Sequence, residues 1–207
     1  KSGISVVIEA DAGRLSRFSD KDYMRAGAGI TRDPGELWDL VDIIKKVKEP
    51  LPEEYGFMSP GQIIFTYLHL ADNKGLTEFL MRSGCTAIAY ETVYKDGGTP
   101  LLAPMSIVAG ALGAHQAAFY LTQGISKEEF DNWLNSLTRE NFLEKAIFDI
   151  SGKQAVILGA GVAGENAART MARMNANVCV SESRPKRISE LEKRFIKEGL
   201  SVNFLYS

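Results

Sequence analysis

Apolar and polar positions alternate in short bursts along the first hundred residues. The run at 4–9 (Ile-Ser-Val-Val-Ile-Glu) is β-branched and followed by a Gly-containing loop, which predicts a strand. Ser19 with Asp22 three positions later is a capping-box pattern and predicts a helix start. Asp33-Pro34 predicts a short helix over 35–40. Further strands are expected at 42–47, 62–68 and 86–90, each short, β-branched or aromatic and bounded by turn residues. Between the last two, Leu76, Phe79 and Leu80 share one face of a helix over 74–82. Strands alternating with helices predict a mostly parallel sheet.

Beyond Pro104 the pattern turns helical. An uncharged helix rich in small residues is expected over 105–122 and suits tight packing inside the protein or at a subunit contact. Ser126 and Glu129 form a second capping box ahead of Phe130, Trp133, Leu134 and Leu137 at helical spacing, and a further helix is expected from Thr138. From Lys153 the order becomes βαβαβ: AVILG, a Gly-rich turn, an Ala-rich helix over 166–174, NVCVS, a charged helix over 186–197 and SVNFLY. The expected class is α/β, with two Rossmann-like parallel-sheet domains at 1–103 and 104–207 and the second incomplete.

Charge and composition narrow the partners. Twenty-four Lys and Arg against 26 Asp and Glu give a net charge of −2, so no basic field attracts nucleic acid. From Gly97 to Ser126 no charged residue occurs, but Pro100 and Pro104 break the run and His115 and Gln116 interrupt it, so a membrane span is not expected. Cys85 and Cys179 form no CxxC pair and read as reduced, buried thiols of a cytoplasmic protein. The chain opens on Lys1 with no signal-like segment, which suggests a cut or processed N-terminus.

Gly159-Ala160-Gly161-Val162-Ala163-Gly164 follows an apolar strand and opens a helix. The first glycine permits the tight turn, the second lets the backbone approach a diphosphate, and the third allows close helix–strand packing. The helix N-terminus, at Val162 and Ala163, supplies N–H donors and a positive dipole end. Glu182 closes the next strand about 20 residues on, where an acid accepts ribose hydroxyls, which favours NAD over its 2′-phosphorylated form. Arg184 and Lys186 stand just past it, where cations can instead meet a 2′-phosphate. The plainer alternative is a nucleotide-free unit using glycine only for packing.

Lys48 and His69 each end an apolar strand, and in open α/β sheets ligands bind outside the carboxyl ends of strands. A lysine there can hold a carboxylate or polarise a carbonyl, and a histidine can transfer protons near neutral pH. Read alone, each also has a plainer role: a solvated strand-end charge for Lys48, a satisfied half-buried histidine for His69. Tyr90-Glu91 ends a third strand, where the pair can bind polar ligand groups, although a solvated edge is the plainer role. G-x-S-x-G, H-E-x-x-H and P-loop motifs are absent, which removes hydrolase and NTPase readings, and no metal site is expected.

KVKEPLPEEY (46–55), GQIIFTYLHLA (61–71), TAIAYETV (86–93), PLLAPMSIVAG (100–110) and GKQAVILGAGVAGENAAR (152–169) together make a specific ordered set. The chain resembles bacterial alanine dehydrogenases and the related NAD-binding component of proton-translocating transhydrogenase. The resemblance implies that Lys48 binds the substrate carboxylate and oxo group, that His69 is a general acid/base, and that Ser106 contacts the cofactor, NAD. It implies an amino-acid or 2-oxo-acid substrate and a homo-oligomer. Lys48-Glu49-Pro50 and Leu68-His69-Leu70 favour the alanine dehydrogenase branch, whereas Glu182-Ser183-Arg184-Pro185 looks more like the transhydrogenase branch, which would bring a membrane partner. A non-catalytic NAD-binding module is the third reading.

Ile107 stands where the family usually has glutamate, and the charged stretch 127–145 replaces a Gly-rich connection. Family chains begin further upstream with a substrate-binding arginine and continue to an active-site aspartate and the second half of the cofactor fold. A fragment of a longer dehydrogenase is therefore expected.

Overall fold

All seven strand expectations and the intervening helices find counterparts in the computed structural model, which describes residues 3–123, 126–137 and 148–207. The backbone divides into two units between Thr99 and Pro100. In the first, β1 (Val7–Glu9) pairs in parallel with β2 (Gly29–Thr31) through α1 (Asp20–Arg25). Helix α1 begins at the expected capping box: Asp22 N–H donates to Ser19 Oγ at 3.3 Å, and Ser19 N–H donates to the Asp22 carboxylate at 2.9 Å. Strand β2 is an addition to the sequence reading, because Gly-Ile-Thr is too short to show alternation.

Helix α2 (Pro34–Leu40) starts where Asp33 Oδ1 accepts the Gly35 and Glu36 N–H groups, and Pro34 occupies a first-turn position that needs no N–H. A second parallel sheet has the order β3 (Ile43–Lys45), β4 (Ile63–Thr66), β5 (Thr86–Ala89). Its central strand buries Ile64 completely, against Trp38 and Ile44. Gln62 ties this sheet to α2, donating to Trp38 O at 2.6 Å and Val41 O at 2.9 Å. Helix α3 (Lys74–Ser83), capped by Asn73, buries Leu76 and Leu80 against Leu68. Full burial of one such leucine is worth about 1.5–3 kcal/mol.

The second unit contains α4 (Ala103–Gln123), α5 (Lys127–Asn135) and a parallel sheet in the order β6 (Gln154–Leu158), β7 (Asn177–Glu182), β8 (Val202–Tyr206). Helices α6 (Val162–Arg173) and α7 (Pro185–Lys197) make the crossovers. Val178 and Val180 of the central strand pack with Leu191 and Phe195 of α7 in one core, to which α4 adds Ala114 and Ala118. The small residues of α4 are explained by contact with α6: a Cβ on Gly110 would stand 2.1 Å from Ala163 O. The Ser126–Glu129 capping box forms as expected, whereas the helix expected from Thr138 lies outside the described residues.

Cys85 and Cys179 are free thiols, but both are only half-buried, which corrects the expectation of full burial. Cys85 sits between the end of α3 and β5 and its thiol reaches Ser59 O at 3.2 Å. Among the described residues no helix is long and apolar enough to cross a membrane, and no His, Cys, Asp and Glu group is arranged to hold a metal ion.

Candidate functional site

Two clusters lie at the carboxyl ends of the parallel strands, one in each unit. In the first, Lys48 follows β3 by three residues and is fixed through its backbone: the buried Thr66 hydroxyl donates to Lys48 O at 2.8 Å. Glu54 pairs with Lys46 and accepts the Leu51 N–H at 2.7 Å, folding the segment after Lys48 back on the strand end. This leaves the Lys48 side chain largely exposed.

Lys48 and His69 meet on a residue the sequence reading did not single out. Glu49 Oε2 lies 3.4 Å from Lys48 Nζ and 3.3 Å from His69 Nδ1. With Nδ1–H donated to the carboxylate, Nε2 is the nitrogen that remains to exchange a proton. The Glu49 carboxyl is held below its usual range by its own backbone N–H and then by His69 and Lys48, against the opposing effect of desolvation. It therefore stays an anion between the two side chains.

His69 itself adopts a left-handed backbone, φ 48° and ψ 40°, an unfavourable region for a non-glycine residue. Glu91 holds it there: its carboxylate accepts His69 N–H at 2.7 Å and Leu68 N–H at 3.1 Å. Burial alone raises the Glu91 carboxyl, but hydrogen bonds from its own backbone, His69 and Leu68 outweigh that and keep it ionised. Glu91 is thus a structural clamp, which corrects its reading as a solvated edge. The Tyr67 ring stacks on the imidazole at 5.9 Å and meets Tyr90 edge-on at 5.0 Å. The strand-end rule that located Lys48 and His69 applies equally to Glu49 and Glu91.

The second cluster is the Gly-rich turn between β6 and α6. Gly159 has φ +88°, the left-handed region that glycine tolerates, and its N–H donates to Ser181 O of β7 at 2.8 Å. A Cβ on Gly164 would lie 1.9 Å from Gly159 O, so this glycine permits the close packing expected of it. A Cβ on Gly161, by contrast, would meet nothing within 4 Å. The space above the turn is open, and the first N–H groups of α6, including those of Val162 and Ala163, have no intrahelical partners. An open backbone cradle at a helix N-terminus fits the diphosphate of a dinucleotide.

Glu182 ends β7 beneath this cradle and is almost fully buried, at 4% exposure. Its Oε2 accepts the Ala160 N–H at 2.9 Å and Arg184 Nη2 at 2.8 Å; its Oε1 accepts Arg184 Nε at 2.9 Å and Arg184 N–H at 3.0 Å. The Arg184 guanidinium, aided by the two backbone donors and opposed by desolvation, pulls the carboxyl down to about 2. Ala160 is gripped from its other side, where Arg187 Nε donates to its carbonyl at 2.9 Å.

Arg187 also reaches Glu165, a buried carboxylate in the first turn of α6 that accepts from Arg169, Arg187 and Arg194. Desolvation pushes Glu165 up, and its three arginines more than reverse it. Arg169 continues to Glu198 at 2.7 Å and lies over the Phe195 ring. Only the Glu165–Arg169 pair, four positions apart on α6, has a spacing the sequence displays; the contacts to Arg187, Arg194 and Glu198 span 22 to 29 positions. Ser106 lies in the first turn of α4, one turn before Gly110, and its N–H donates to Leu102 O.

Comparison with known proteins gives two family matches: "Alanine dehydrogenase/PNT, N-terminal domain" over residues 1–109 and "Alanine dehydrogenase/PNT, C-terminal domain" over residues 142–205. Alanine dehydrogenase of Mycolicibacterium smegmatis is 42% identical over 181 residues, covering 87% of this chain and 46% of that protein. The Mycobacterium tuberculosis enzyme is 39% identical over 198 residues, covering 94% and 50%. The chain thus spans about half the length of the curated relatives it matches. A solved L-alanine dehydrogenase superposes with a TM-score of 0.72 at 38% identity, covering 99% of this chain and 53% of that one. A transhydrogenase from Sinorhizobium meliloti shares the fold, with a TM-score of 0.63 at 23% identity, covering 98% and 53%.

Proposed function

Because the chain belongs to the alanine dehydrogenase/PNT family, we propose that it is part of an NAD-dependent dehydrogenase that converts L-alanine, or a similar amino acid, reversibly to the 2-oxo acid and ammonia. The observation that carries this reading is the convergence of Lys48 and His69 on one oxygen of Glu49. A cation and a proton-transfer group at a strand end are what a 2-oxo-acid substrate requires, and a nucleotide-only hydride exchange does not need them.

In this reading residues 1–103 form the substrate domain and residues 104–207 belong to the nucleotide domain. Lys48 holds the substrate carboxylate and polarises the oxo group. His69, oriented by Glu49 through Nδ1, uses Nε2 to take a proton from the water that adds to the iminium carbon, and returns it in the reverse direction. Gly159, Gly161 and Gly164 shape the cradle, the N–H groups of Val162 and Ala163 hold the diphosphate, Glu182 receives the ribose hydroxyls and Ser106 contacts the cofactor. NAD, when bound, supplies the acceptor for the hydride from the α-carbon. The protein works in the cytoplasm as a homo-oligomer.

The test is a Lys48→Ala change in the full-length protein. Amino-acid-dependent NAD reduction should disappear while NADH binding, followed by fluorescence, stays intact. Retained amino-acid oxidation would overturn the role of Lys48. A wild-type protein that binds NADH yet reduces NAD with no amino acid would favour the transhydrogenase or non-catalytic reading.

A further inference from the structure

Glu182 is already fully occupied without a nucleotide. A carboxylate offers about four lone-pair sites. Here Ala160 N–H, Arg184 N–H and the two prongs of the Arg184 guanidinium fill them at 2.8–3.0 Å, with the Ser183 hydroxyl at 3.5 Å as a weak fifth donor. For a ribose to use this acid, a donor already bound to it must leave. The two backbone donors are fixed: Ala160 is fully buried and locked by Arg187 at its carbonyl, and the Arg184 N–H sits at the N-cap of α7. The guanidinium is the movable partner, since the Arg184 side chain is 63% exposed and held by this contact from a flexible stem.

Resting on the reading of the Gly-rich turn as a dinucleotide site, we propose that the Arg184 side chain is a specificity-determining latch: it competes with ribose hydroxyls for Glu182 and must swing off when NAD binds. The competition weakens NAD binding. It also neutralises the carboxylate that would repel a 2′-phosphate, and it places a guanidinium beside that position, so it narrows the preference for NAD over the 2′-phosphorylated cofactor.

The experiment titrates full-length wild-type protein and Arg184→Ala with NADH and NADPH by fluorescence. The contact to be displaced joins an exposed guanidinium to a buried carboxylate that keeps its two backbone donors, and removing it should raise NADH affinity by about two- to fivefold, the scale of a solvent-screened pair. NADPH affinity should fall by about tenfold, the usual scale for loss of a charge-assisted hydrogen bond. Weaker NADH binding by Arg184→Ala would overturn the latch, because Arg184 would then be a contact and not a competitor. The Nε–H resonance of Arg184 gives a second reading in the wild type: it should shift on adding NADH, and an unmoved resonance with NADH bound also overturns the proposal. No NADH binding by either protein would overturn the dinucleotide reading itself, a result distinct from binding that Arg184→Ala merely weakens.

Discussion

The two strand-end clusters hold their polar groups in opposite ways. At the ends of β3 and β4, the groups offered to solvent are side chains, Lys48 and His69, and carboxylates fix them from behind. At the end of β6 the groups offered are backbone N–H donors, and they are fixed by packing at Gly164 and by the hydrogen bonds to the N–H and the carbonyl of Ala160. A group that exchanges protons needs access and an orienting partner. A backbone cradle for an anion needs a rigid frame and an open face.

That contrast predicts where each cluster breaks. Gly164→Ala forces a Cβ onto the Gly159 carbonyl, a backbone atom with no room to yield, and should destabilise the second unit by about 3 kcal/mol and abolish NADH binding. Thermal unfolding with and without NADH reads both; a normal melt with normal binding would refute the rigid-frame account. His69→Gln should lower turnover by about 10²–10⁴-fold. NADH affinity should not change, and steady-state kinetics beside a fluorescence titration separate the two effects. A matching loss of NADH affinity would erase the distinction between the clusters.

A smaller effect is expected from Glu91→Ala, which strips the acceptor from the Leu68 and His69 N–H groups and should cost about 1–3 kcal/mol in urea unfolding. Its kinetic mark should be a fall in kcat larger than any change in the KM for NAD. The mildest test is acid unfolding. The Glu182 carboxyl lies at about 2 in the folded protein against an ordinary 4.5. Its contribution is therefore complete above pH 4.5 and is lost as pH falls from there to about 2. Urea midpoints measured across that window should fall less steeply in Glu182→Gln than in the wild type.

The elements with periodicity or caps were legible in the sequence. The Ser19–Asp22 and Ser126–Glu129 boxes begin helices where the spacing says they should, and the strands around Ile64 and Val178 match their apolar runs. Strand β2 was not, since three residues carry no period. Sequence reasoning placed Lys48 and His69 at strand ends but could not show that Glu49 joins them, because that contact depends on the turn His69 makes with positive φ. The tie from Arg187 to both Ala160 and Glu165 was equally hidden: residues 22 and 27 positions apart meet only once α6 and α7 are folded over the sheet. Arg184 was visible as a cation near the ribose site, but its occupation of Glu182 is a fact of geometry alone.

Helix α4 carries no charged residue and touches α6 at the level of backbone, through Gly110 and Ala163. The opposite flank of the Gly-rich turn is braced by guanidinium–carboxylate contacts, including those of the half-exposed Arg194 and the exposed Arg184. Dissolved salt therefore acts on the turn asymmetrically. It loosens the ionic flank, most at its exposed members, and leaves the α4 flank untouched, so the ionic strength of the medium becomes a dial on one wall of the cradle with the other wall standing still.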